Sequence, residues 1–516
     1  YAGRGIIMKN MMLLADFYKI SHRNFYPEGL TKLYSTWTPR SNKYFPESDC
    51  VVWFGLQGFI QKYLIEYFDK YFFERDIEEI ICEYETIIHN TYDEDATSDH
   101  IRGLHKLGYL PIKICALPEG TKVPYGVPCC TVENTHPDFA WVTNYLETLF
   151  SCNLWITSTT ATTAYLARQI IEEYCDKTSD IKDTWKSVGA GDFSFRGMAS
   201  LEAAITSGAA FLTSFSKTST IPSIEYLNKY YCSGINNKIG SWSASVEHSC
   251  TTSNFAVDGN EKDYFLRMVN DYCKDKPFSF VADSYDYFGF FDIIEECKED
   301  ILNHNGCIRI RPDSGDPEKI ICGNPDAADE RERLGSLNLL WKIFGGTINS
   351  KGYKVLNPHI GLVYGDSITV ERCRNICEHM MQLGFAVENV VFGFGSYSMQ
   401  YKSRDTQGWA YKVTYAEVNG KPIMVYKDPK TSDGLKKSQK GMCVVCHDIE
   451  HFYATGKDKI TYSDGYTSEN IENCAELSDG MIGHNLLEPV FENGRLIKIT
   501  LLKEIRNRIH KEKGGF

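Results

Sequence analysis

From about residue 185 the chain keeps returning to one pattern: a short apolar run, a turn rich in Gly, Asp and Ser, then an amphipathic stretch. Phe278-Ser-Phe-Val-Ala282 runs into Asp283-Ser-Tyr-Asp286, and Cys307-Ile-Arg-Ile-Arg311 into Pro312-Asp-Ser-Gly-Asp-Pro317. Leu362-Val-Tyr364 runs into Gly365-Asp-Ser367, and Val390-Val-Phe392 into Gly393-Phe-Gly-Ser-Tyr-Ser398. Apolar runs this short, each closed by turn residues and followed by helical periodicity, predict parallel strands alternating with helices. Four clear units, with weaker ones around Asp192 and Thr213, favour a (β/α) barrel over an open sheet. In either architecture, polar turns at strand C-termini are where ligands gather.

The flanks read differently. Residues 9–150 mix aromatic-rich helical stretches such as Phe59 to Phe73 with short strands such as Ile112-Lys-Ile-Cys-Ala116 and Pro128-Cys-Cys-Thr-Val132. Residues 405–505 alternate as strands do, with hairpin turns at Val418-Asn-Gly-Lys421 and Glu492-Asn-Gly494. Both ends are expected to build one mixed α+β layer beside a barrel of residues 151–404. Residues 1–8 are expected to be a leader outside the fold, too short in apolar run for a signal peptide.

Composition narrows the function. With 55 Lys+Arg against 68 Asp+Glu and a net charge of -13, the chain lacks the basic surplus of a nucleic-acid binder. Thr148 to Ala167 is uncharged over the length of a membrane helix but carries eight Ser/Thr and an Asn, too polar for hydrocarbon. No export or membrane signal is read, and the expected compartment is the cytoplasm. The 18 cysteines are spread too thinly for a disulfide scaffold and are read as reduced. Cys443-Val-Val-Cys446-His447 has the form of a haem or zinc half-site, but it lacks a second pair and reads better as a β-branched strand.

Several strand-end residues could carry chemistry. Arg196 and Arg311 are suited to clamp an anion, Asp283, Asp313 and Asp366 to bind hydroxyls or magnesium, and the Gly393–Ser398 turn to offer amides to a phosphate. His248, read as lying in a loop after Trp242, is either structural or a general base or phosphoryl acceptor oriented by Glu247 or Asp283. The basic stretch Lys427 to Gly441 is either a solvated turn or a phosphate-contacting arm.

The ordered set Asp16-Phe-Tyr-Lys-Ile-Ser-His22, Asp192-Phe-Ser-Phe-Arg-Gly197, Glu247-His-Ser249, Asp283-Ser-Tyr-Asp286, Ile310-Arg-Pro-Asp-Ser-Gly315, Gly365-Asp366, Gly393-Phe-Gly395 and Lys427-Asp-Pro429 closely resembles the nicotinamide phosphoribosyltransferases. The match runs from about Met12 to Ile505. The resemblance implies an irregular (β/α) barrel of the type II phosphoribosyltransferase kind, in a homodimer with shared active sites. It also implies transfer of phosphoribose from phosphoribosyl pyrophosphate to nicotinamide in NAD salvage, with Mg2+ held mainly through the diphosphate and no protein-only metal cage.

By the same resemblance, Phe193 and the partner subunit's Tyr18 would sandwich the pyridine, with Asp16 and Ser219 nearby. Arg311 and Asp313 would hold the ring amide and ribose, and Gly365, Asp366, Gly395 and Ser396 the ribose and 5′-phosphate. Arg196, His248 and Arg404, with the partner subunit's Arg40, Lys412 and Lys427, would surround the diphosphate. ATP would phosphorylate His248, steadied by Asp283. Two residues depart from the family. Ser219 replaces an Asp that accepts from the carboxamide and repels a carboxylate, which keeps nicotinate or dual base use open. Ser396 replaces a glycine of the phosphate turn, which is tolerable if no positive φ is needed there. Two further alternatives are a non-catalytic nucleotide-binding homologue and a carboxylate-pair glycosidase built on Asp283 and Asp313; the surrounding cations argue against the second.

Overall fold

The computed structural model describes residues 10–181, 189–232, 239–431, 436–456, 458–471 and 485–510. The chain forms two compact units. One comprises residues 1–162, 226–233 and 402–515, the other 163–225 and 234–401.

The first unit is built on a seven-stranded antiparallel sheet drawn from both chain ends. Its order is Lys421–Met424, Ala410–Val418, Leu30–Thr38, Cys130–Asn134, Ile112–Ala116, Glu488–Glu492 and Arg495–Leu496. Both expected hairpins form, with Asn419 and Asn493 at φ 52° and 50° and Gly420 and Gly494 at 72° and 78°. Positive φ at two consecutive positions is what a tight turn matched to strand twist requires. Trp37 stacks on Trp409 at 5.1 Å in the core. The uncharged stretch from Thr148 lies in the helix Glu147–Thr178, and its hydroxyls serve the backbone. Ser158 Oγ and Thr157 Oγ1 donate to Phe54 O, while Phe54 N and Val52 N donate to Ser158 Oγ and Thr162 Oγ1. Among the described residues no helix is long and apolar enough to cross a membrane.

This unit also takes back residues 226–233, which the sequence reading assigns to the barrel. The reason is Tyr231. Its ring stacks on Phe54 at 5.1 Å, its hydroxyl donates to Glu119 Oε2 at 3.0 Å, and Gly58 N donates to it. The expected boundary at 150 likewise falls inside a continuous helix and moves to 162. Met442–His447 is a strand, paired antiparallel with Ile460–Tyr466, and His447 pairs with Asp458 at 2.7 Å.

The second unit is an α/β barrel. Seven strands run in the order Lys217–Thr218, Ala190–Asp192, Val390–Phe394, Ile360–Tyr364, Ile308–Arg311, Phe278–Val281 and Ala244–Ser245, every pairing parallel. A parallel bridge from Lys217 to Ser241, three residues before the last strand, brings the two ends of the sheet together. The four strong repeats are all strands, and Asp192 ends another. Thr213 does not belong to a strand. It lies in the turn after the helix Leu201–Phe211, and the strand begins at Lys217. The run Ala209-Ala-Phe-Leu-Thr213 is apolar because it packs that helix on the sheet, where periodicity alone cannot tell helix from strand. Ile308 and Ile310 are fully buried against the helices, so Arg309 and Arg311 face the barrel interior.

Candidate active site

At the C-terminal mouth of the barrel the strand ends converge. Asp192 is fully buried and points outward to the helix Leu201–Phe211, where a Cβ on Gly208 would lie 3.0 Å from its Oδ2. Its carboxylate accepts from Ser194 N at 2.9 Å, Ser194 Oγ at 2.6 Å, Thr218 Oγ1 at 2.9 Å and Thr220 Oγ1 at 2.6 Å. A buried charge with four donors is fully satisfied and fixes two neighbouring strand ends against each other. Its neighbours Gly191 and Phe193 then face inward.

Phe193 lies on glycine. A Cβ at either Gly365 or Gly393 would come within 2.7 Å of its ring carbons. These two positions are glycine because the aromatic ring occupies the side-chain space. Trp242 stands edge-on to Phe193 at 5.2 Å. Ser219 donates both its N–H and its hydroxyl to Asp192 O at 2.9 Å, so its hydroxyl is engaged with backbone.

His248 is the first residue of the helix His248–Asp258, capped by extended Glu247, and not part of a loop. Glu247 also accepts from the Ser249 hydroxyl, which draws the chain into its first helical turn. Nδ1 of His248 shares a hydrogen bond with Ser284 Oγ at 3.1 Å. Nε2 faces two carboxylates, Asp283 Oδ1 at 3.8 Å and Asp313 Oδ2 at 4.0 Å. Asp283 is almost wholly buried. Its Oδ2 accepts from Asp313 N at 2.8 Å and Ser314 Oγ at 2.6 Å, while Oδ1 has no hydrogen-bond partner among the described residues. Asp283 thus holds the Asp313 turn directly and meets the imidazole only at ion-pair distance, a looser contact than a steadying hydrogen bond.

The same turn is tied to the next strand by Tyr364, whose hydroxyl donates to Ser314 O at 2.8 Å. Arg311 Nη2 lies 3.3 Å from Asp313 Oδ2, and its Nε is buried without a partner among the described residues. Glu261, half-buried and pushed up to about 7 by burial and then by Asp286 and Asp283, adds a third acid that sequence reading missed.

At the last two turns Ser367 adopts φ 49°, strain of the kind found at ligand-binding turns. Asp366 is exposed. Ser396 has negative φ and begins the short helix Ser396–Met399, so no glycine is required there. A Cβ at Gly197 would come within 2.0 Å of Ser396 Oγ, which places Ser396 against the exposed turn that carries Arg196.

The remaining candidates form a second group, within the first unit. Asp16 accepts from Thr148 Oγ1 at 2.7 Å, and burial followed by Asp16 raises the pKa of the half-exposed Tyr18. Lys412 is lowered by burial and, among charges, by Arg40, Arg404 and Lys427. Arg40 is lowered by burial and then Arg404, while its Nε donates to Gly408 O at 3.0 Å. These cations therefore crowd one another, and Arg404 groups with them. Glu147, 3.9 Å from Lys412 and paired with Lys19, partly offsets them. Residues 432–435 of the basic loop lie outside the described residues.

Sequence reasoning missed Trp242, Ser284, Glu261, Lys19 and Glu147. Ser284 sits inside a quoted motif and was legible as a side-chain donor. Lys19 likewise sits inside the quoted Asp16–His22 motif, whereas Trp242, Glu261 and Glu147 carry no local signal, because only folding brings them to the site.

The fold is similar to that of nicotinate-nucleotide pyrophosphorylase from Pyrococcus furiosus, with 15% identity and a TM-score of 0.56 over 99% of this chain and 97% of that one. It is also similar to human nicotinic acid phosphoribosyltransferase, with 15% identity and a TM-score of 0.55 over 97% and 93%. These likenesses define the fold as a type II phosphoribosyltransferase barrel. The nicotinate phosphoribosyltransferase (NAPRTase) family matches residues 189–461, and the nicotinamide phosphoribosyltransferase N-terminal domain matches residues 10–114. The nicotinamide phosphoribosyltransferase of Acinetobacter baylyi is 40% identical over 98% of both chains. That of Xanthomonas campestris is 31% identical over 97% of this chain and 98% of its own. The chain belongs to the nicotinate/nicotinamide phosphoribosyltransferase family.

Proposed function

We propose that this chain is a pentosyltransferase that moves the 5-phosphoribosyl group from phosphoribosyl pyrophosphate to nicotinamide, giving nicotinamide mononucleotide and pyrophosphate. The observation that carries the reading is one barrel mouth holding both kinds of group the reaction needs. His248, Asp283, Asp313 and Arg311 cluster there, and the Phe193 ring is bedded on Gly365 and Gly393.

The reaction breaks the ribose C1–O bond and forms C1–N, with the diphosphate leaving on the bonding pair. Positive charge develops on the sugar, so a carboxylate beside it and cations on the leaving group lower the barrier. Asp313 supplies the first. Arg196 and His248, with the partner subunit's Arg40, Arg404, Lys412 and Lys427, supply the second, Arg404 going with the cations it crowds. Phe193 and the partner subunit's Tyr18 hold the pyridine flat so that its nitrogen lies in line. The mutual crowding of Lys412, Arg40 and Arg404 supports an anion between them, since a bound diphosphate relieves the repulsion. Gly365, Asp366, Gly395 and Ser396 take the ribose and 5′-phosphate.

Asp283, whose buried Oδ1 has no hydrogen-bond partner among the described residues, and Asp313 would help to hold a Mg2+ ion, which would supply charge neutralisation of the leaving group. ATP phosphorylates His248, whose Nδ1 is oriented by Ser284, and so couples nucleotide formation to hydrolysis. The enzyme acts as a cytoplasmic homodimer.

The test is mass-spectrometric identification of the nucleotide formed from phosphoribosyl pyrophosphate, Mg2+ and ATP with nicotinamide. Nicotinamide mononucleotide is expected. No mononucleotide from either nicotinamide or nicotinate would overturn the reading and favour a non-catalytic homologue.

A further inference from the structure

Three buried side-chain donors in the first unit take no part in the proposed reaction and have no partner among the described residues: Arg23 Nε, the Tyr84 hydroxyl and His100 Nδ1. They come from three helices, Tyr18–Phe25, Ile77–Thr91 and Asp99–Leu107. Tyr84 is fully buried, and its ring lies 6.4 Å from that of His100, which stands edge-on to Trp141 at 5.0 Å. Phe17 stacks on Tyr92 at 6.2 Å, so the first helix runs back along the second and brings Arg23 beside Tyr84. Burial and then the Arg23 guanidinium hold the His100 imidazole down to about 4, and burial pushes Tyr84 up to about 12 against the pull of Arg23. His100 is therefore neutral at pH 7, and its Nδ1–H tautomer is a donor. The carboxylates of these helices are turned to other partners. Glu85 accepts from Ser98 Oγ at 2.6 Å, Glu78 pairs with Arg102, and none pairs with Arg23 among the described residues. Arg23 and His100 are half-buried, so the group opens to solvent above a closed Tyr84 floor. Three such donors, one of them a cation without a counter-charge, are costly to bury unless an acceptor joins them.

We propose that Arg23, Tyr84 and His100 form a binding site for a small tetrahedral oxyanion of the phosphate class, built from residues that the candidate active site does not include. A water has lone pairs for two of the donors and leaves the guanidinium charge uncompensated, whereas an oxyanion accepts from all three and neutralises it. Tyr18 and Arg23 share one short helix, so a bound anion braces the element that carries the proposed base-stacking tyrosine. That consequence, and not the site, rests on the phosphoribosyl-transfer reading.

The experiment follows hydrogen–deuterium exchange by mass spectrometry in the full chain, with and without inorganic phosphate, in the wild type, Arg23→Met and Tyr84→Phe. In the wild type, peptides from residues 18–25, 77–91 and 99–107 should exchange about tenfold more slowly with phosphate at roughly ten times Kd, because exchange then waits on release of the anion. Both variants should lose that protection. Ribose 5-phosphate as a second probe separates the sources. Protection by inorganic phosphate alone identifies a free anion, protection by the ester as well identifies a phosphomonoester, and either supports the site. No protection of the three segments, or protection that survives Arg23→Met, overturns the site and leaves the phosphoribosyl-transfer reading standing. Failure of that reading is seen separately, as the absence of any nucleotide product. Tyr84→Phe removes a single oxygen with no partner to lose, so it keeps the comparison open if Arg23→Met does not fold.

Discussion

His248 and Asp192 illustrate two uses of a polar side chain at one barrel mouth. His248 is partly exposed, held at one nitrogen by Ser284 and faced at the other by Asp283 and Asp313. His248→Ala should abolish stimulation by ATP while leaving slow transfer, with kcat down by about 10²–10⁴-fold, the range of a positioned acid–base group. Pyrophosphate release with and without ATP checks this. Asp192 touches no substrate in the proposed mechanism, but it joins the first strand of the barrel to the next through Thr218 and Thr220. Asp192→Asn turns an acceptor into a donor opposite hydroxyls and an amide, and should cost about 2–4 kcal/mol in urea denaturation.

At the scale of elements, the barrel was legible because buried parallel strands read as short apolar runs closed by polar turns, and this periodicity survives without any partner information. The hairpins were legible because Asn-Gly suits positive φ. Thr213 was misplaced because a helix buried on a sheet is as apolar as a strand. The start of the helix at His248 was obscured because its first turn, His-Ser-Cys-Thr, carries hydroxyls that read as loop. Of the candidate site, strand-end residues could be picked out since each follows an apolar run, and the family resemblance supplied their roles. Trp242 and Glu261 could not, because their importance lies in what sits beside them in space. Glycine at 393 belongs to this scale as well. Gly393→Ala forces a Cβ to within 2.7 Å of the Phe193 ring and 2.8 Å of Gly365 Cα, so the ring must tilt and the adjoining turn must give. KM for the base should rise by about tenfold, the weight of one aromatic stacking contact, and kcat should fall less. Steady-state kinetics with the base varied decides it.

Over the whole molecule two buried groups set opposite pH trends. Burial pushes the Glu261 carboxyl up to about 7 from its ordinary 4.5, so the folded state binds more protons between those values. Stability falls as pH rises through that window. Lys402, buried beside the Phe45 ring and lowered to about 7 from 10.5, is the reverse. Its unfolded form binds more protons above 7, and stability rises with pH from there. Glu261→Gln should therefore stabilise the protein at pH 8 by on the order of 1 kcal/mol, a figure reduced for solvent screening of a half-buried group. Lys402→Met should stabilise it at pH 6 by about 1–3 kcal/mol, as replacing buried charge with apolar surface often does. Thermal melts across pH 5 to 9 on both variants would show each slope flattening in its own window.

Gln57 ties together two distant stretches of chain within the first unit. Its amide donates to Tyr230 O at 2.6 Å and Thr500 O at 3.0 Å, and its carbonyl accepts from Thr500 N at 2.6 Å. During synthesis, residue 57 emerges long before either partner, so this knot can be tied only after the barrel has been made and the final helix Leu502–Ile509 is close behind. The barrel, whose strands follow one another in sequence, has all its partners to hand by residue 401. A ribosome stalled between 401 and 500 should thus display a protease-resistant barrel attached to an N-terminal region still open to digestion.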